Sequence, residues 1–113
     1  MEHKIFIMNR HTKPGATGDY VGRPTALGNY SGKVNTKGTN RHDVCLAYRA
    51  DLIEQLEAPG DPSPAKKMFI ELLNKLSTTG ELVLVCWCTP KECHADVIRD
   101  LLLDYVEGRR TFA

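Results

Sequence analysis

ELVLVCWCTPKECHADVIRDLLLDY, residues Glu81 to Tyr105, reads as a strand, a tight turn and an amphipathic helix. Leu82 to Cys86 is apolar and rich in branched residues with almost no polar alternation, the pattern of a strand buried on both faces. Thr89, Pro90 and Glu92 fit a capping box with proline at the first helical position, so the helix is expected to start near Pro90. Val97, Leu101 and Tyr105, with Ile98 and Leu102 beside them, recur at helical spacing and form one apolar stripe. In such a unit the ligand position lies beyond the carboxyl end of the strand, where a helix amino terminus offers free N–H groups. Cys88 and Cys93 flank that turn and are expected to be close in space.

Working outward, the 113 residues suit one α/β domain, and residues 1–113 are read as a single unit. Lys4 to Met8 (KIFIM) reads as a first strand, expected at the sheet centre. Residues 12–39 form a long glycine-rich loop region with strand-like pieces at Asp19 to Val21 and Lys33 to Asn35. A loop of that length in a small domain points to function. Asn40 offers a cap for a helix from Arg41 to Glu57 whose apolar face holds Val44, Tyr48, Leu52 and Leu56. After the connector APGDPS, Ser63 and Pro64 open another helix to about Ser77, expected to bury Met68, Phe69, Leu72, Leu73 and Leu76. Gly108 ends the last helix, and residues 108–113 are expected as a flexible tail. The fold class is a small Rossmann-like α/β domain with a mostly parallel central sheet flanked by three main helices.

No apolar run reaches the roughly 20 residues that cross a bilayer, and MEHKIF lacks a secretory apolar segment, so the expected setting is cytoplasmic with no membrane partner. Four cysteines without an export signal favour reduced thiols or a metal site over a disulfide framework. The net charge of +1 hides an asymmetry. Residues 1–50 hold eight Lys or Arg against three acids, and residues 51–113 hold seven against eleven. A modest local basic bias suits a small phosphorylated ligand better than duplex nucleic acid, so nucleic acid is not the expected partner.

Two motifs carry a resemblance: Tyr20-Val21-Gly22-Arg23-Pro24-Thr25-Ala26-Leu27-Gly28-Asn29, followed by Gly38-Thr39 and Arg41, and Cys86-Trp87-Cys88-Thr89-Pro90-Lys91-Glu92-Cys93-His94-Ala95-Asp96-Val97. In order and spacing the chain resembles domain of unknown function 4326, a family of small phage and bacterial proteins. The likeness spans roughly positions 5 to 103, with Asn29-Tyr30 standing where the family pattern continues as Asn-Pro-Phe. It implies that both motifs serve one site on a Rossmann-like domain, and it supplies no activity.

The residues themselves suggest chemistry. Gly22-Arg23-Pro24 can hold a guanidinium on a rigid support, and Arg forks match phosphate or carboxylate oxygens. Arg10 after the first strand and Arg41 at a helix start could join it on one anion, with Asn29 and Thr39 ordering the ligand. The competing reading makes Arg23 a brace for the loop. His11 and His42 beside those arginines are candidate acid or hydrogen-bonding groups, or solvated loop residues. Cys86, Cys88, Cys93 and His94 form a set of soft ligands that zinc would accept, although their spacing is not a usual zinc pattern, and no cofactor is otherwise called for. Cys86 reads equally as a small core hydrophobe. Cys93 beside His94, with Asp96 nearby, is a candidate reactive thiol, making Cys93, His94 and Asp96 the catalytic candidates.

The resulting expectation is a binder of a nucleotide or phosphorylated ribose compound at the strand ends, with Cys88, Cys93 and His94 lining one wall, that sequesters or senses its ligand. Alternatives are an enzyme acting on an N-glycosidic or phosphate bond, and a zinc-stabilised interaction or nucleic-acid module. A homodimer that completes the pocket from a neighbouring subunit is compatible with all three.

Overall fold

The computed structural model describes residues 3–9, 18–21, 25–27, 41–86 and 94–112, without the side chains of Asn9, Arg41 and His42. The expected strand at Lys33 to Asn35, the cap at Asn40 and the capping box at Thr89 to Glu92 lie outside these residues. In chain order the elements are β1 (Lys4–Asn9), β2 (Asp19–Tyr20), α1 (Arg41–Glu57), α2 (Pro64–Thr79), β3 (Glu81–Cys86) and α3 (His94–Val106).

The described sheet is open and parallel, in the order β1-β3-β2, giving an α/β fold with three helices among the described residues. Lys4 pairs with Glu81 and the register runs to Asn9 opposite Cys86, while Asp19 and Tyr20 face Leu84 and Val85. Among the described strands β3 is therefore central, as its unbroken apolar run requires, and β1, expected at the sheet centre, has β3 as its one described neighbour. Ile5 and Ile7 pack towards the core while Phe6, between them, is 48% exposed.

On β3, Leu82, Leu84 and Cys86 join the helix side chains in a single apolar cluster with Leu52, Leu56, Phe69, Leu76, Ile98, Leu101 and Leu102. Strand alternation puts Val83 and Val85 on the other face, where Val85 is fully buried. The expected stripe of α3 is present, with Ile98, Leu101, Leu102 and Tyr105 buried and Val97 partly so. All four expected residues of α1 are buried, and Cys45 with them.

The second helix is fixed at both ends by its sequence. Ser63 accepts the Lys66 amide at 3.2 Å and donates to Gln55 of α1 at 2.9 Å, and Pro64 follows at the start of the helix. The helix runs two residues beyond Ser77, to Thr79. Gly80 then turns left-handed at φ 81°, its N–H closing on the Leu76 carbonyl at 2.8 Å and its carbonyl taking the Lys4 amide at 2.9 Å. One residue thus stops α2, starts β3 and anchors β1. The Thr79 hydroxyl donates to the Glu81 carbonyl at 2.8 Å, occupying the edge of β3 that short β2 does not reach.

Two expectations about the core are corrected. Met68 and Leu73 are only partly buried, whereas Lys66 is buried at 8% exposure. Its aliphatic stem lies in the apolar face, and its Nζ donates to the Ala58 carbonyl at 3.1 Å and sits 5.6 Å from the Phe112 ring centre. The expected loose tail is tied down as far as Phe112. Gly108 ends α3 at φ 81°, Arg109 pairs with Asp104 at 2.9 Å, and Arg110 pairs with Glu57 of α1 at 2.9 Å. Phe112 stacks on Tyr105 at 4.4 Å and meets Phe69 edge-on.

Three measurements test this frame. A Cβ at Gly18 would stand 2.8 Å from the Val83 carbonyl, so Gly18→Ala should force β2 away from β3 and lower stability by about 1–3 kcal/mol in a urea titration. Phe112→Ala should lower the urea midpoint by an amount corresponding to about 1–2 kcal/mol; an unchanged midpoint would return the tail to a bystander. Burial raises the Tyr105 hydroxyl above its ordinary pKa, opposed by Arg110 and assisted by Glu57, and the hydroxyl has no hydrogen-bond partner. Its folded pKa lies above its unfolded one, so this stabilisation is complete below about pH 10 and is lost as pH rises beyond it. Tyr105→Phe should hold its neutral-pH stability and show a shallower loss above pH 10.

Candidate functional site

Parallel pairing in these registers brings the carboxyl ends of all three strands to one edge of the sheet, with Asn9 beside Cys86 and Tyr20 beside Val85. The amino-terminal parts of α3 and α1 lie at the same edge. His94, the first residue of α3, reaches the chain leaving β2, its Nε2 2.7 Å from the Val21 carbonyl. A carbonyl oxygen can only accept, so Nε2 carries the proton, and in the neutral ring Nδ1 is the acceptor. Tyr48, in the second turn of α1, meets the His94 ring edge-on at 5.2 Å and donates its hydroxyl to the Leu27 carbonyl at 2.6 Å.

Val21 and Leu27 are both fully buried. The Val21 amide donates to the Val85 carbonyl at 3.0 Å, the last bond of the β2–β3 ladder, and His94 takes the carbonyl of the same residue. Val21 is therefore bonded to α3 and Leu27 to α1. Sequence reasoning placed Tyr48 only on an apolar helix face. Its hydroxyl was the available signal, because a buried tyrosine oxygen seeks a partner.

Of the remaining expected site residues, Cys86 is fully buried in the core cluster, the place of a small hydrophobe. Asp96 in the first turn of α3 lies 3.5 Å from the Arg99 guanidinium one turn on, and 32% of its side chain is exposed. His94 and Asp96 are two positions apart on a helix and do not share a face. Arg10, His11, Arg23, Asn29, Thr39, Cys88 and Cys93 lie outside the described residues, as do the side chains of Arg41 and His42. Among the described residues, no group of three His, Cys, Asp or Glu could hold a metal ion, and no helix is long and apolar enough to cross a membrane.

A cleft of about 390 Å³ lies at the opposite end of the sheet, bounded by Gly18, Asp19, Lys75, Thr79 and Glu81 to Val83. Within it Lys75 lies 2.9 Å from Asp19, and Thr79 donates to the Glu81 backbone carbonyl. It lies at the end of the sheet away from the carboxyl ends of β1 and β3.

No curated protein and no solved structure matches the chain. Residues 7–104 match the family described as Domain of unknown function (DUF4326), a span that runs from within β1 to within α3 and includes both sequence motifs. The chain belongs to the DUF4326 family.

Proposed function

We propose that the protein binds a nucleotide or a phosphorylated ribose compound beyond the carboxyl ends of β1, β2 and β3, and that it sequesters or senses that ligand. One observation carries the reading: three parallel strands end at the same edge, and the first residue of α3 stands beside them. Free N–H groups and the positive end of the α3 dipole favour an anion at such a place. Arg41 opens α1, Arg10 follows β1 by one residue and Arg23 follows the end of β2 by three, so three arginines leave elements that finish or begin there. Guanidinium forks supply the bidentate contacts a phosphate needs, and Asn29 and Thr39 are assigned to the sugar.

Binding is favoured over catalysis by the engagement of the two described catalytic candidates. His94 spends its Nε2 proton on a backbone carbonyl, and Asp96 faces Arg99 on its own helix. An enzyme acting on an N-glycosidic or phosphate bond would need a positioned acid or base directed at substrate. Cys88 and Cys93, with His94, are assigned to the wall of the pocket, and the zinc reading rests on the same cysteines.

Native mass spectrometry of the protein purified from cells, followed by titration with AMP and ribose 5-phosphate, tests the proposal. A co-purifying phosphorylated molecule, or salt-sensitive binding of one probe weakened at least about tenfold by Arg23→Lys, is the expected result. Binding of neither probe, with no small molecule carried from the cell, overturns it. Conversion of the probe would move the assignment to the enzyme, and one zinc per chain would move it to the metal-stabilised module.

A further inference from the structure

We infer that residues 109–112 and the connector between α1 and α2 form one latch that opens and closes as a unit, separately from the sheet. The joining residue is Lys66. Its stem is buried, and its ammonium serves two partners: it donates to the Ala58 carbonyl at 3.1 Å and lies 5.6 Å from the centre of the Phe112 ring. Ala58 opens the connector and Phe112 belongs to the segment after α3, so one cation holds both. Further links run alongside. Arg110 reaches Glu57, the last residue of α1, at 2.9 Å, and Ser63 at the far end of the connector donates to Gln55 of α1 while capping α2.

Residues 58–61 are exposed, with Gly60 left-handed at φ 88°, so this part of the connector buries little of its own. The segment after Gly108 is anchored as compactly. The Arg109 and Arg110 amides both donate to the Asp104 carbonyl, at 2.8 and 3.2 Å, and Phe112 stacks on Tyr105 at 4.4 Å. Without Phe112 the Lys66 ammonium exchanges the ring for water, and its hold on the Ala58 carbonyl weakens. Without Ala58 the buried stem carries a charge short of an acceptor. Each half is therefore stabilised by the other, which is the condition for cooperative local opening. All of these links run between helices and the connector, so the latch can release while the β1-β3-β2 ladder stays paired. Its release frees the end of α1, the start of α2 and the segment after α3 together.

Native-state hydrogen exchange of the full-length chain, at rising urea below the unfolding transition, tests the latch. The reporters are the amides of Lys66 and Lys67, bonded to Ser63 at 3.2 and 2.9 Å, and those of Arg109 and Arg110, bonded to Asp104. All four should share one opening free energy and one urea dependence, both smaller than those of the β3 amides, because this opening exposes little surface. Phe112→Ala should speed exchange of all four together by about tenfold. Lys66→Met keeps the stem and removes the ammonium, and it should part the pairs: amides 66 and 67 speed about tenfold while 109 and 110 change by no more than about threefold. Separate urea dependences for the two pairs in the parent protein, or a shared one equal to that of β3, would overturn the latch. So would a Phe112→Ala variant that accelerates 109 and 110 alone, or a Lys66→Met variant in which the pairs still move together. If Phe112→Ala does not fold, Phe112→Leu, which keeps part of the apolar contact and removes the ring face, carries the same comparison.

Discussion

A six-residue apolar strand cannot stand alone in water, and the architecture follows from covering β3. One edge is taken along its whole length by β1, the other in part by β2, with the Thr79 hydroxyl at the remaining end. Its helix-side residues form the centre of the apolar cluster, and burying Leu82, Leu84 and Cys86 there is worth on the order of several kcal/mol. The parallel arrangement then has a functional consequence that no single side chain dictates. Strands running the same way must finish at the same edge, and the helices that return the chain must start near it.

The elements were legible wherever hydrophobic period and capping chemistry agreed. The apolar face of α1, Ser63 and Pro64 at the start of α2, and the stripe of α3 were all readable because burial selects residue types at fixed spacing. KIFIM was ambiguous because a five-residue apolar run looks alike at the centre or the edge of a parallel sheet, and which strands flank it is a property of topology. Lys66 was hidden for another reason. Polarity argues against burial, yet a long methylene stem with a carbonyl at its tip satisfies both halves of the side chain. The tail was unreadable from five residues, since Phe112 finds its partners on α2 and α3.

The candidate site was legible only in part, and the reason is physical. Arginines and glycines in a polar tract have no period, so sequence can nominate Arg10, Arg23 and Arg41 without fixing their distances. The bonds to the Val21 and Leu27 carbonyls were hidden on their accepting side, because every residue offers a carbonyl and none advertises which one will be used. Their donors were visible, but His94 pointed to catalysis and Tyr48 to packing. Geometry reassigns both to the same task of holding backbone, and in doing so joins the two motifs that the chain places far apart.

The registers of β1 and β2 on β3 also constrain how the protein comes into being. Each residue of the central strand pairs with positions more than sixty residues earlier. During synthesis no rung of the ladder can close until the segment ending at Cys86 has cleared the ribosome, by which time both long helices that precede it have been made. The nascent chain must therefore carry β1 and β2 without their β3 partner through most of its own translation, and pairing at such separation makes closure of this ladder a late event of folding.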